Sequence, residues 1–192
     1  MTEVRDARPD DLPAVLDLLR EAFGAEGDDV ARIWAALVEE DLVRASLVVQ
    51  RTGAVVGHVG LSHAWVDARR ALVDVLVLSP LSTLPSQQGG GVGTALVAAA
   101  LARARELGAV AVFLEGSPRY YGPRGFERAS ARGFGPASVR TPDGAFQVAL
   151  LDAWEDWMTG RLVYPDVWWR HDAAGRRDPD LARLEQLLGR SV

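Results

Sequence analysis

The chain has 192 residues, 21 Arg, 26 acidic residues, 3 His and a net charge of −5, and it contains no Cys, no Lys and no Asn. Without Cys there is no disulfide, thiolate metal site or cysteine nucleophile. Without Lys there is no Walker-type phosphate lysine and no Schiff base, and without Asn there is no N-glycosylation acceptor.

The joint loss of Lys and Asn beside 29 Ala points to a GC-rich coding bias. These absences therefore have chemical consequences but carry no functional signal. The length fits one compact domain with a sizeable core. The acidic balance weighs against a nucleic-acid or anionic-membrane surface. Met1 to Arg5 has no apolar h-region, and no apolar run reaches ~18 residues. A soluble, cytoplasmic protein is expected.

In chain order, Glu3 to Arg8 alternates weakly and ends at Pro9, which predicts an edge strand. Asp10-Asp11-Leu12-Pro13 predicts a helix start, with acids at the positive dipole end and Pro in the first turn. Val15, Leu16, Leu18, Leu19, Ala22 and Phe23 recur at helical spacing, and Gly24 closes that helix. A second helix is predicted over 29–39, with Val30, Ile33, Trp34, Leu37 and Val38 on one face.

The pattern then changes to strands. Residues 46–50 lead through the turn Arg51-Thr52-Gly53 into a long strand over 54–66. Gly57 and Gly60 interrupt it, which marks a bulge or a close backbone approach. A strand over 71–78 is nearly all apolar and is expected to be covered on both faces. Ser79-Pro80 breaks it, and 81–84 resumes it.

Gln87 to Thr94 opens a helix that runs to about Leu107 and is capped by Gly108. A strand over 109–115 follows, then a turn or short helix from Gly116 to Tyr121. Short strands over 126–129 and 146–151 flank a Gly/Pro-rich loop. The tail from Asp152 holds four of the six Trp and closes with a helix over 178–188, with Pro179 in its first turn and Gly189 after its end. This order gives an α/β fold on a mixed sheet, with one strand–helix–strand crossover among antiparallel hairpins.

The strongest local feature is a strand, then Gln88-Gly89-Gly90-Gly91-Val92-Gly93-Thr94, then a helix. Glycines let successive N–H groups turn toward one point, and a helix start adds unsatisfied amides and the positive dipole end. Together they suit a pyrophosphate. The plain alternative is a turn that merely links strand to helix. The order of the surrounding elements favours the anion site.

A Walker loop needs Lys. A dinucleotide fingerprint fails at Leu96 or Thr94, depending on where it is started. What does match is Q/R-x-x-G-x-G/A, read as Gln88-x-x-Gly91-x-Gly93. A second match, Y-x-x-x-G-F, is Tyr121 with Gly125-Phe126, placed 28 residues after Gly93. On these residues the chain resembles the GNAT acyltransferase superfamily. The likeness covers about 2–151 and is tightest from Leu78 to Phe126, where it is similar to a bacterial branch of predicted acetyltransferases. Gly89-Gly90 is a departure, because many members carry a basic or bulkier residue there. The loss implies weaker phosphate affinity with the backbone cradle intact.

The resemblance implies a mixed, mostly antiparallel sheet flanked by helices over 1–151. Residues 152–192 would form a Trp-rich C-terminal extension packed on the same domain. It implies that the backbone of Gln88, Gly89, Gly90, Gly91, Val92, Gly93 and Thr94 holds the pyrophosphate of acetyl-CoA. Leu81, Ser82, Thr83 and Leu84 would run alongside its pantetheine arm. The activity implied is N-acetyl transfer to a primary amine by direct attack in a ternary complex. The absence of a Cys or a recognisable Ser nucleophile agrees with that.

A thiol has a pKa of ~8.5 and a phenol ~10, so Tyr121 is protonated at neutral pH and is assigned as general acid for the departing thiolate. A packing role is its alternative, and is preferred for Tyr120. His58, Asp74, Glu115 or a water chain remain open as the base. A backbone amide near Ser82 or Thr83 would polarise the thioester carbonyl. His63 and His171 stand isolated, so no metal site is assigned. The expected partner is a small-molecule or peptide amine, not nucleic acid or membrane, and the resemblance allows a homodimer. A non-catalytic CoA-binding module and an interaction protein using the Trp-rich tail are the rival readings.

Overall fold

A computed structural model describes residues 2–175 and 180–188. The N-terminal strand is shorter than its pattern: β1 (Arg5–Asp6) is followed by α1 (Leu12–Phe23) and α2 (Gly27–Glu39), which pack on each other. The acids do mark the start of α1. The Asp11 carboxylate accepts from the Arg5 guanidinium at 2.7 Å and from the Arg8 N–H at 2.7 Å. These bonds, Arg5 first, hold Asp11 down at about 2. Gly24, at φ +55, ends the helix.

β2 (Val43–Arg51) and β3 (Ala54–Ala68) form the predicted hairpin. Its two turn residues, Thr52 and Gly53, have φ +48 and +87, the hand that matches the twist of the paired strands. β4 (Leu72–Thr83) is continuous through Ser79-Pro80, which corrects the predicted break. Proline lacks a ladder donor. The described ladder from β4 to the next strand is confined to Leu76 and Val77, so Pro80 removes nothing from it. Nor is the whole strand covered: Leu72 and Asp74 are exposed, and Val75 to Leu78 are buried.

α3 (Val92–Glu106) ends at Gly108, φ +70, and leads to β5 (Ala111–Glu115), which lies parallel to β4 through Leu76↔Val112 and Val77↔Phe113. Next come α4 (Pro118–Tyr121), β6 (Glu127–Arg128) and β7 (Phe146–Leu150), the last antiparallel to both β5 and β6.

The tail adds a strand that the sequence did not announce. β8 (Gly160–Val163) pairs antiparallel with residues 65–68 of β3, past the point where β2 leaves it. Only Leu162 of β8 is buried, so four residues carry too little alternation to be read. α5 (Asp166–Arg170) and α6 (Asp180–Leu188) close the described chain. Asp178, Pro179 and Gly189, read as the limits of the last helix, lie outside the described residues. The strand order is β1-β2-β3-β4-β5-β7-β6 with β8 also on β3, a mixed and mostly antiparallel sheet flanked by helices. Among the described residues no helix is long and apolar enough to cross a membrane.

Internal contacts divide the chain into two compact units, Met1–Ser62 with Leu78–Glu106 and His63–Val77 with Leu107–Val192. In the first, β3 is covered on both faces. Residues 58 and 60 share one face and 57 takes the other, because strand side chains alternate. The Trp34 indole of α2 lies on Gly60, where an added Cβ would come 2.3 Å from the ring. Val92 and Leu96 of α3 lie on Gly57, where a Cβ would come 2.5 Å from Val92 Cγ1. Both glycines therefore mark close approaches, as their positions suggested. In the second unit Phe113 of β5 stacks on Phe146 of β7 at 5.6 Å and meets Phe134 edge-on at 5.0 Å. Trp168 of α5 is buried and stacks on Tyr164 at 4.8 Å, while Arg70 sits over Trp157 at 5.4 Å.

Gly57→Ala and Gly60→Ala are each expected to lower unfolding stability by about 1–3 kcal/mol, the usual penalty of overpacking a filled core. Gly122→Ala meets nothing within 4 Å and is expected to stay within about 0.5 kcal/mol of the parent. Urea midpoints at constant m value check all three.

Candidate active site

In the first unit the end of β4 and the start of α3 frame the glycine loop. The Leu84 N–H donates to the Val56 carbonyl at 3.0 Å, and a 3-10 turn at Pro85–Gln87 follows. Gly89 and Gly91 have φ +76 and +80, a left-handed backbone that a side chain would strain. The first helical bond runs from the Ala95 N–H to the Gly91 carbonyl at 3.0 Å. Ahead of it, the amides of Gly89, Gly90, Gly91, Val92 and Gly93 donate to no protein acceptor among the described residues. That leaves the positive end of α3 lined with available N–H groups.

Val92 is buried against Gly57, so the start of the helix is fixed by the core beneath it. Gln88 reaches back to the Thr83 carbonyl at 3.4 Å. Leu81, Thr83 and Leu84 are half-buried; Ser82 is buried, and its hydroxyl donates to the His58 carbonyl at 3.5 Å. Thr94 is exposed on the first turn of α3.

In the second unit Tyr121 ends α4. It is held through its ring, which lies on Gly116: a Cβ there would be 2.4 Å from Tyr121 Cε2. Gly116 is itself pinned, its N–H donating to the Ala145 carbonyl at 2.9 Å and its own carbonyl accepting from Gln147 Nε2 at 2.9 Å. The Y-x-x-x-G-F spacing has a local cause. Gly125, at φ +92, turns the chain so that buried Phe126 meets the Tyr121 ring edge-on at 5.8 Å. Burial pushes the Tyr121 phenol up to about 12, the neighbouring Tyr120 adds to the rise, and Arg124 opposes it. The phenol is therefore protonated throughout the neutral range.

The three candidate bases fare differently. His58 is fully buried; its Nε2 pairs with Ser46 Oγ at 3.0 Å and its ring meets Trp34 at 4.8 Å. Burial lowers it to about 3. It is a neutral core residue, out of reach of a substrate. Asp74 bonds His63 Nε2 at 2.8 Å, so His63 is not isolated; its ring also meets Trp65 at 4.5 Å. Glu115 accepts from Thr141 Oγ1 and from the Tyr164 hydroxyl, both at 3.2 Å. The sequence alone missed Gly116, His63, Thr141 and Tyr164. A glycine directly after a strand-ending Glu was the one local hint. Among the described residues no group of three or more His, Cys, Asp or Glu is placed to hold a metal ion.

The His58 shift has a pH signature. The folded chain binds fewer protons than the unfolded one between about 3 and the unfolded value near 6.5. Its contribution is complete above that upper value and is lost as the pH falls, at about 1.4 kcal/mol per pH unit. Urea unfolding at pH 6.5 and pH 5 is expected to differ by about 2 kcal/mol from this group. In His58→Gln that difference disappears.

The arrangement can be set beside known proteins. A family model described as an acetyltransferase (GNAT) domain matches residues 3–129. The chain is 29% identical over 161 residues to the uncharacterized N-acetyltransferase YjhQ of Escherichia coli (strain K12), covering 81% of this chain and 88% of that one. Its fold matches the crystal structure of the GNAT family N-acetyltransferase YhbS from Escherichia coli in complex with CoA, with TM-score 0.80 and 28% identity, over 91% of this chain and 96% of the other. It also matches a GNAT family acetyltransferase from Brucella melitensis in complex with acetyl-CoA, with TM-score 0.71 and 26% identity, over 88% and 98%. The family match takes in β1 through β6, with both the glycine loop and the Tyr121 motif inside it. The chain belongs to the GNAT acetyltransferase family.

Proposed function

We propose that this chain transfers an acetyl group from acetyl-CoA to a primary amine by direct attack, both substrates being bound together. The observation that carries the reading is the run of five amides, Gly89 to Gly93, without protein acceptors at the start of a helix. Such a run fits a diphosphate, and two structural relatives were crystallised with CoA or acetyl-CoA. The backbone from Gln88 to Thr94 holds the diphosphate, and Leu81 to Leu84 accompany the pantetheine arm. Acetyl-CoA supplies an acyl carbon activated by its bond to sulfur. The β4 backbone near Ser82 or Thr83 donates a hydrogen bond to the acyl oxygen as charge gathers there.

Tyr121 serves the leaving sulfur. A phenol raised to about 12 is a weaker acid than a thiol at ~8.5. It therefore stabilises the departing thiolate chiefly by donating a hydrogen bond. The amine must arrive neutral or lose its proton to a carboxylate or to water. Glu115, and Asp74 with His63, are the groups in the second unit suited to take that proton. The reading keeps 1–151 as the acyltransferase domain and 152–192 as its extension, from which Tyr164 reaches Glu115.

Tyr121→Phe is expected to lower kcat about 10–100-fold and to leave the acetyl-CoA KM within about twofold. A steady-state assay that follows CoA release with a panel of amines checks this from pH 6 to 9. Unchanged turnover across that range would remove Tyr121 from the chemistry.

A further inference from the structure

The glycine loop has no cation of its own, since every side chain from Gln88 to Thr94 is neutral. A cation stands beside it nonetheless. Arg51 is the last residue of β2, paired with Ala54 across the tight Thr52-Gly53 turn. Its Nη1 donates to Gln87 Oε1 at 2.7 Å. Gln87 in turn is fixed by its N–H on the Leu84 carbonyl at 2.8 Å. A Cβ placed on Gly90 would lie 3.8 Å from Arg51 Nη1 and 4.0 Å from Nη2, so the guanidinium sits at the second glycine of the loop.

Its partner is a neutral amide. Among the described residues no carboxylate forms an ion pair with Arg51, whereas Arg5, Arg20, Arg32 and Arg103 are each paired with an acid. The Gln87 bond uses one of five N–H donors, in a planar fork that matches phosphate oxygens.

We propose that Arg51 is a coenzyme-binding residue, its guanidinium meeting the diphosphate of CoA beside Gly90 and replacing the cation that the loop sequence lacks. This rests on the loop being the coenzyme site. On this reading the positive charge beside Gly90 comes from the neighbouring hairpin and not from the loop's own side chains.

Calorimetry with CoA and with 3′-dephospho-CoA on the full-length protein tests it. Arg51→Gln is expected to weaken both ligands about tenfold and to flatten the salt dependence of Kd. Arg51→Lys, which keeps the charge, is expected to recover most of the loss. Gln87→Ala, which frees the guanidinium without removing it, is expected to stay within about threefold of the parent. CoA binding by the parent with no change in Arg51→Gln overturns the assignment while leaving the loop reading intact. A loss seen with CoA but not with its dephospho form moves the contact to the 3′-phosphate and overturns the diphosphate assignment. Equal losses in Gln87→Ala and Arg51→Gln reduce Arg51 to a brace for the turn. Failure of the parent to bind either ligand overturns the loop reading, and this inference with it.

Discussion

Backbone N–H groups that a chain does not satisfy for itself must be left to water or to a ligand, and the first compact unit is organised around five of them. For the amides from Gly89 to Gly93 to stand together, the backbone has to adopt a left-handed conformation at Gly89 and Gly91, and α3 has to begin at a fixed place. That place is set by Val92 resting on Gly57, a contact that any side chain on Gly57 would block. Gly57 in turn belongs to a strand covered on both faces, with Trp34 of α2 pressed onto Gly60 from the other side. The missing side chain at Gly57 thus seats the start of α3, and the one at Gly60 seats the Trp34 ring of α2.

The second unit uses the same device to hold an aromatic ring. Gly116 gives the Tyr121 ring a surface to lie on, and Gly125 turns the chain so that Phe126 closes against it. Tyr121 and Tyr164 of this unit are employed differently. The Tyr164 hydroxyl donates to Glu115, and burial raises its pKa well above the ordinary value. Tyr121 is positioned through carbon contacts, so its hydroxyl is not what holds it in place.

Charge is handled almost wholly by arginine and carboxylates in a chain without Lys. Most described arginines with a nearby acid form exposed pairs, such as Arg32 with Asp29 and Arg170 with Asp166, whose worth to stability is small. Arg51 is anchored instead on the neutral Gln87 side chain, as Arg44, Arg105 and Arg161 are anchored on backbone carbonyls. A guanidinium held without a counter-charge keeps its field for an anion. His58 shows the opposite treatment. Placed among Trp34, Ser46 and the strand backbone, it stays neutral, and its role is to fill volume.

The sequence by itself determined the two motifs, the order of the main helices and strands, and the family. Each of these depends on residues within a turn or two of one another: glycines that alone accept positive φ, a proline at a helix start, an apolar stripe at helical spacing. It could not show β8, where four residues gain their meaning only from pairing with β3, nor the continuity of β4 through Pro80, which depends on which of its residues have a ladder partner. The pairings of His63 with Asp74, Arg51 with Gln87 and Glu115 with Tyr164 span 11, 36 and 49 positions. No periodicity encodes such separations. They arise when strands register and loops close, so these pairings were assigned by tertiary packing, while the left-handed turns of the loop before α3 were already written in the glycines.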